Sequence, residues 1–515
     1  MKKLLILSAS VASMSASMAA AGGMEVGRFS PAFMFESGNF AELSITRTTP
    51  KVTDDTFAPK KSMLAEMTNT SMSLKMAMND RLSIGLQHYD AAKIDLTYKG
   101  SGGPFASKPD PYATQVAVGK AAAASDPATQ AAILNYQPTA IAAGATNAQE
   151  IAALAIASDP NTQAAISNYY DGLSSLQVAT ILATEYGGAA NIPLASEPFV
   201  DLSFKSTVLV ANYKFSDRLD VFGGLKYSVG SGSGNVLSSP HGSISASEGT
   251  GTSPVIGISY SIPDIALRVT GTYQGKASLS HKTIRTYNGV TDTLKPTKTA
   301  LPESLTLEFQ TGVAKDTLVF GSLHRARWGG AHIFFDGATK PKSTWTDSTT
   351  YSLGVGRKID ENWAVSAAFN YEEGTESAGT SLLSTTNGVR GVTLGARYTT
   401  GNITVSLGAN YSEFGDKTVT ASPYGVGKFA NNSMTNVGLK LGFSFYNNLI
   451  KGREFRFLPF LYRKGLFSYE WFIRGVDDWF GSLGYGRQLL PINGVFGAEC
   501  RGCIRQLFNP PKFCK

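Results

Sequence analysis

The stretch NVGLKLGFSF, Asn436–Phe445, decides the fold. Val437, Leu439, Leu441, Phe443 and Phe445 alternate with Asn436, Gly438, Lys440, Gly442 and Ser444. Successive side chains of a strand point to opposite faces, so this is a strand with one unbroken apolar face and one small or polar face. A barrel strand crossing a bilayer has this pattern: apolar toward lipid, polar toward the lumen, aromatic at the interface. A half-buried strand of a soluble sandwich has it too. Only the rest of the chain separates the two.

Moving outward from that stretch, the alternation recurs. Ile403, Val405, Leu407, Ala409 and Tyr411 oppose Thr404, Ser406, Gly408 and Asn410. Trp363, Val365, Ala367, Phe369 and Tyr371 oppose Ala364, Ser366, Ala368 and Asn370. Ile265, Leu267, Val269, Gly271 and Tyr273 oppose Arg268, Thr270 and Thr272. The apolar rows carry no formal charge, as expected where a charge near the bilayer midplane costs about 2–4 kcal/mol. Several rows end in Tyr, Trp or Phe, the residues of an interface girdle.

Fourteen such strands are predicted. They are Asn39–Arg47, Asn69–Met78, Arg81–Tyr98 (bent near Ala91 and Ala92), Asp201–Phe215, Arg218–Val229, Pro254–Ser261, Asp264–Gln274, Pro302–Gly312, Asp316–Arg325, Thr350–Arg357, Asn362–Tyr371, Arg390–Thr399, Asn402–Tyr411 and Asn436–Phe445. The joins at residues 79–80, 216–217, 262–263, 313–315, 358–361 and 400–401 are tight, and those between them are long. Short turns on one side and long loops on the other, with an even strand number, is the arrangement of an outer-membrane barrel. A soluble sandwich has no reason to sort its loops. The expected fold is therefore all-β, a 14-stranded antiparallel transmembrane β-barrel over residues 39–445. Its last strand should pair back to its first, with both termini in the periplasm of a Gram-negative cell.

Composition agrees. The chain has 515 residues, is 43% hydrophobic and only 17% charged, and contains 53 Gly. A large barrel uses that length around one sheet. Lys2 and Lys3, the apolar run Leu4–Leu7 and the small residues Ala19–Ala21 predict a secretory leader over residues 1–21. No other segment reaches the roughly 18–20 apolar residues of a spanning helix. In a membrane the chain must then close a barrel, since only helices and barrels satisfy their backbone there.

The formal charge of +7 sits at the ends: two leader lysines, and eleven Lys and Arg against five Asp and Glu in residues 446–515. The near-neutral body gives no nucleic-acid signal. All three cysteines (Cys500, Cys503, Cys514) lie in the last 16 residues, which excludes thiol catalysis, a cysteine metal site or a disulfide frame from the body. None of the five histidines has metal-ligand spacing, and no phosphate or dinucleotide fingerprint appears. The glycine-rich SVGSGSG at 228–234 reads as a loop start. No catalytic residue, metal or cofactor is expected, and the protein is read as not an enzyme. What remains is transport through a lumen lined by Ser, Thr, Asn, Gly and Ala.

The long loop at residues 100–200 has a different composition. Its Ala-rich part, Lys120–Gly188, favours helix. Ser125–Tyr136 (SDPATQAAILNY) recurs as Ser158–Tyr169 (SDPNTQAAISNY), with an acid at the cap and Pro at the first helical position. Two similar helical units above the barrel mouth are expected, serving as a lid or as solvated insertion.

LPESLTLEFQTGVAKDTLVFGSLHRARW (Leu301–Trp328) resembles the strand pair of FadL-type long-chain fatty acid transporters of the outer membrane. FESGNFAELSITRTTPKV (Phe35–Val52), YSLGVGRKIDENWAVSAAFNYE (Tyr351–Glu372) and the closing GLKLGFSF are similar to the same family. The resemblance implies a lumenal N-terminal hatch, residues 22–38. It also implies passive uptake of fatty acids or other hydrophobic compounds through a lateral opening. The family's Asn-Pro-Ala hatch motif appears as Ser30-Pro31-Ala32 in a short hatch, and both departures predict a lumen less fully plugged than in longer relatives. Phe29, Phe33 and Phe35 are candidates to contact an acyl chain beside Pro31 and Ala32, and Arg325 and Arg327 are candidate cations at the mouth. Those arginines could equally bind outer-leaflet lipid or lipopolysaccharide phosphates, or simply be solvated.

Residues 446–515 fit neither barrel nor family. They are aromatic and basic without sustained alternation, and read as an atypical extension, appended by a reading-frame change or serving in the periplasm. The single pair Cys500 and Cys503 is a weak metal or redox signal. The partners expected are a hydrophobic ligand, outer-membrane lipid and the barrel assembly machinery, with the barrel a monomer. The alternatives to transport of hydrophobic compounds are a surface adhesion protein acting through the Ala-rich loop and a general diffusion porin.

Overall fold

The structure, a computed structural model, describes residues 24–54, 62–98, 109–193, 198–235, 243–287, 290–334, 345–374, 385–421 and 425–445, with residues 341, 343, 378, 379 and 383. The expected leader (1–21) and the C-terminal extension (446–515) lie outside the described residues.

Fourteen antiparallel strands close on themselves. In chain order they are β1 (Asn39–Lys51), β2 (Met67–Ala77), β3 (Leu82–Thr97), β4 (Phe199–Lys214), β5 (Leu219–Gly234), β6 (Ser243–Ile262), β7 (Leu267–Gln274), β8 (Ser304–Ala314), β9 (Thr317–Ala326), β10 (Ser348–Lys358), β11 (Trp363–Glu372), β12 (Asn387–Thr400), β13 (Ile403–Gly415) and β14 (Ser433–Phe445). Each pairs with its chain neighbours, and β14 returns to β1 from Asn39↔Phe445 to Lys51↔Ser433. All fourteen expected strands are present. Several end points differ. The SVGSGSG run read as a loop start continues β5 to Gly234, and β6 begins at Ser243 rather than Pro254, because both extend beyond the apolar row and pair with each other. Ile265 lies in a 3-10 turn, Pro263–Ile265, followed by left-handed Ala266 (φ 52), so β7 begins at Leu267. Pro263 supplies the fixed φ that starts such a turn.

The outward rows are the predicted apolar ones. Leu353, Phe369, Leu394, Leu407 and Phe443 are exposed, while Asn370, Thr393, Asn410, Asn436 and Lys440 on the opposite faces are buried. Trp363 stacks against Tyr398 (4.9 Å) near the short-turn end, and Tyr351 faces Tyr371 (6.5 Å) at the other end. Trp363 and Tyr371 are eight residues apart on β11, roughly 26 Å along an extended strand. That height, less the strand tilt, suits an apolar membrane band. Among the described residues no helix is long and apolar enough to cross a membrane.

The inward polar row is cross-linked around the circumference. Thr48 donates its hydroxyl to Asn436 Oδ1 (2.6 Å), Asn436 donates to Asn410 Oδ1 (3.1 Å), and Asn410 and Asn370 both donate to Thr393 Oγ1 (3.0 and 2.9 Å). These bonds join β1, β14, β13, β12 and β11, and they satisfy groups the lumen would otherwise leave without partners.

Beyond the long-loop end the structure carries more order than the sequence suggests. Five helices fill the second long loop: α1 (Pro111–Ser125), α2 (Pro127–Ala142), α3 (Ala148–Ser158), α4 (Pro160–Asp171) and α5 (Ser175–Glu185). The two repeats form α2 and α4, capped by Asp126 and Asp159 with Pro127 and Pro160 following. The strands Ala277–Tyr287 and Val290–Leu301 pair as a hairpin on the outer part of β6, and Ala378–Gly379, Lys417–Ala421 and Gly425–Phe429 form a small separate sheet. These segments were read as loops because they are rich in Thr, Ser, Lys and Gly and no unbroken apolar row marks them.

Candidate functional site

Met24–Gly38 occupies the lumen. β3 carries a bulge between Asp90 and Ala92, at the expected bend, which turns the Ala91 carbonyl inward. That carbonyl accepts from the Val26 and Gly27 amides (3.1 and 3.4 Å), and the Lys93 amide donates to Met24 (2.9 Å). Gly27 permits this approach, because a Cβ there would stand 2.4 Å from the Asp90 carbonyl oxygen. Further along, the Ser30 amide donates to Gln87 Oε1 (3.1 Å), and the Ser30 hydroxyl accepts from Ala32 (3.4 Å) to cap the 3-10 turn Pro31–Phe35. Serine thus fills the cap where the resembled motif has Asn.

The turn drives aromatic side chains into the barrel. Phe33 and Met34 cover Gly85 of β3 so closely that a Cβ there would lie 2.0 Å from Met34 Sδ. Phe29 meets Phe33 edge-on (6.3 Å) and Phe222 of β5 (6.3 Å), and Phe35 meets Phe222 from the other side (6.4 Å). With Phe204, Val208, Val210 and Val255 they form one apolar cluster inside the barrel. Lys75 donates to the Glu36 carbonyl and ties down the far end of the segment.

Beside the segment is a chamber of about 140 Å³. The segment contributes Arg28, Phe29, Ala32 and Phe35, and the walls contribute Glu42, Lys440, Arg268 and Glu308. Glu42 and Lys440 pair across the β1–β14 seam at 3.3 Å. The Arg268 guanidinium lies over the Phe35 ring, 4.3 Å from its centroid. It makes no ion pair or hydrogen bond among the described residues. The chamber can hold a ligand with an apolar body against Phe29 and Phe35 and a polar or anionic end toward Arg268.

On the long-loop side of the segment is a second cavity of about 30 Å³, lined by Glu25, Arg28, Lys226 and Trp328. Trp328 is fully buried and packs edge-on against Trp345 (5.6 Å). Glu25 Oε2 accepts from His324 Nε2 of β9 (3.1 Å), and His324 Nδ1 is 2.8 Å from the Thr306 hydroxyl of β8.

The sequence candidates therefore separate. Phe29, Ala32 and Phe35 line the chamber. Pro31 and Phe33 belong to the same turn but are buried away from the chamber lining. Arg325 and Arg327 are exposed at the long-loop end, 3.6 Å from Asp347 and 2.5 Å from Glu303. Glu303 also accepts from the Tyr273 hydroxyl (3.2 Å). The bonds from Arg327 and Tyr273 hold the Glu303 carboxyl below its ordinary pKa, and the Arg327 guanidinium is raised by the same pair. Arg268, Glu308, Glu42 and Lys440 were not singled out from the sequence. Their signal was a charge on the lumenal row of a strand, as with Arg268 opposite the apolar row of β7.

No family model and no curated relative matches the chain. Solved structures do. A FadL homologue from Pseudomonas aeruginosa superposes with a TM-score of 0.54 at 10% identity, covering 85% of this chain and 99% of the other. The toluene transporter TodX of Pseudomonas putida gives 0.50 at 12% identity over 85% and 98%, and a TodX deletion mutant, a monoaromatic hydrocarbon channel, 0.51 at 13% over 83% and 99%. At these identities the likeness is one of fold: the chain is a closed 14-stranded barrel of the architecture shared by the FadL homologue and the toluene transporter.

Proposed function

We propose that this barrel takes up hydrophobic small molecules across the outer membrane of a Gram-negative cell without an energy source, with long-chain fatty acids the first substrates to test. In this reading the leader directs export and the long loops face outward. Residues 22–38 act as a hatch, Phe29 and Phe35 receive the apolar body of the ligand, and a lateral opening releases it. Residues 446–515 stand outside the transport unit. The observation that carries the reading is the apolar cluster of Phe29, Phe33, Met34, Phe222, Val208 and Val210 inside the lumen. A water-filled porin keeps its interior polar. An aromatic cluster of this kind excludes hydrated solutes and yields to an apolar one. The shared fold with transporters of hydrophobic compounds supports the same reading.

The test is uptake of labelled oleate and of toluene by a transporter-deficient host expressing the full chain. Accumulation above the empty-vector strain is expected for at least one of them. Accumulation of neither, together with rapid swelling of sugar-filled proteoliposomes, would replace this reading with that of a diffusion porin.

A further inference from the structure

Glu25 belongs, by its backbone, to one wall of the barrel and, by its side chain, to the opposite one. The backbone of Glu25 bridges to Ala92 of β3. Its carboxylate reaches His324 of β9, six strands further round the fourteen. His324 is almost wholly buried and is held at its other nitrogen by Thr306. Arg28 approaches the second carboxylate oxygen (Nε to Oε1, 3.9 Å), and Lys226, buried and without a hydrogen bond or ion pair among the described residues, lines the same small cavity. This crossing separates the cavity beneath Trp328 from the main chamber, and Gly27, Arg28 and Tyr89 line both.

We propose that Glu25 and His324 are the bolt of a gate across the lumen, and that traffic between the outer cavity and the main chamber requires their contact to open. The inference rests on the reading of the chain as an uptake barrel, but its geometry does not depend on what is taken up. A charge-assisted bond in a low-dielectric interior is stronger than a neutral one and confers direction, so the pair fixes one closed position. Three backbone bonds to β3, from the Val26 and Gly27 amides and to the Met24 carbonyl, hold the first four described residues to one wall, and the Glu25–His324 contact ties them to the opposite one. Release of the bolt therefore detaches Glu25 from β9 and loosens Met24–Gly27 on β3 without unfolding the turn at Pro31–Phe35. Lys226 offers the freed Glu25 carboxylate a second resting place on β5, which would keep the opened segment in the lumen.

The test is ion conductance of the full chain in planar lipid bilayers, a readout independent of any hydrophobic ligand. Glu25→Gln and His324→Gln should each raise open conductance about tenfold, the effect expected from loss of one charge-assisted bond. The exchanged pair, Glu25→His with His324→Glu, should return it to within about twofold of the parent. Heat-modifiable gel mobility checks that each variant is a closed barrel. Should one single variant not fold, the other carries the comparison, and faster hydrogen exchange at the Val26 and Gly27 amides is the second expected sign. Single variants with parental conductance and parental exchange would overturn the gate. So would an exchanged pair as leaky as the singles. Conductance that follows the prediction while neither oleate nor toluene is taken up would sink the transport reading and leave the gate standing.

Discussion

Gly85 shows how much of the lumenal site hangs on a missing side chain. It faces inward from β3, and the space a Cβ would take is filled by Met34 Sδ at 2.0 Å and the Phe33 ring at 2.9 Å. Neither neighbour can retreat cheaply, because Phe33 is pressed against Phe29 and Phe29 against Phe222. Gly85→Leu should therefore displace the 3-10 turn rather than be absorbed. Overpacking of this kind costs about 1–3 kcal/mol. The expected result is a barrel that still folds, as judged by heat-modifiable mobility, but whose Phe33–Phe35 segment becomes sensitive to protease. A Gly85→Leu barrel with the parent's protease resistance would mean that the segment is held by its backbone bonds to Ala91 alone. Gly85 was legible as a small residue on the lumenal row of a strand. That it is a socket for Met34 was not, because two residues fifty positions apart meet only once the chain has folded.

Among the elements, α2 and α4 were the easiest to read. The Asp-Pro-x-Thr start gives an N-cap acid, a proline whose missing amide costs nothing at N1, and a hydroxyl at N3. The structure completes the motif: Asp126 accepts from the Thr129 amide (2.8 Å) and hydroxyl (2.6 Å), and Asp159 does the same with Thr162. The threonine hydroxyl bond, reinforced by the backbone amide, holds both carboxyls below the ordinary aspartate range. A folded pKa below the unfolded one gives stability that is present above the unfolded value, near 4, and is lost as pH falls through the folded value. The helical circular-dichroism signal should accordingly be flat from pH 7 to about 4 and fall only below it. In Asp126→Asn with Asp159→Asn most of the acid-dependent fall should disappear, leaving the part carried by Glu150, whose carboxyl the Thr146 amide and hydroxyl hold below its ordinary pKa. A helical signal that already declines between pH 7 and 5 would show that other groups control these helices. The Ala-rich composition of Lys120–Gly188 pointed to helix there without giving the bounds of the remaining helices, and the outer hairpin and the small sheet were not read at all. Their order comes from packing, the helices on one another through Val118, Ala122, Ile156 and Ile166, and the hairpin and small sheet through Leu279, Val419 and Phe429 in the apolar cluster, and not from a periodic row facing lipid.

At the scale of the whole molecule, closure depends on a single seam, β1 against β14, since every other pairing among the fourteen barrel strands joins consecutive ones. The closing strand was legible to within three residues, because lipid imposes a strict apolar row on it. The charge on its inner face was legible as polar but not as a partner. Lys440 sits diagonally across the seam from Glu42, 3.3 Å away, with both side chains nearly buried (8% and 12% exposed). Removing one member of such a pair strands the other charge, which costs about 3–5 kcal/mol in a dry interior. Here the lower end applies, because both groups border the chamber and water there can solvate the survivor. Lys440→Met should thus lower the unfolding free energy, measured with urea in detergent micelles, by about 3 kcal/mol. Adding Glu42→Leu should recover most of that loss, since replacing both charges with apolar side chains removes the stranded one. The Thr48–Asn436 bond remains in both variants, so the register of the seam is kept and the comparison isolates the ion pair. A double variant no more stable than Lys440→Met alone would show that the pair acts through the water and ligand space of the chamber and not through the seam. In that case the two residues belong to the binding surface, and the double variant should change uptake more than it changes stability.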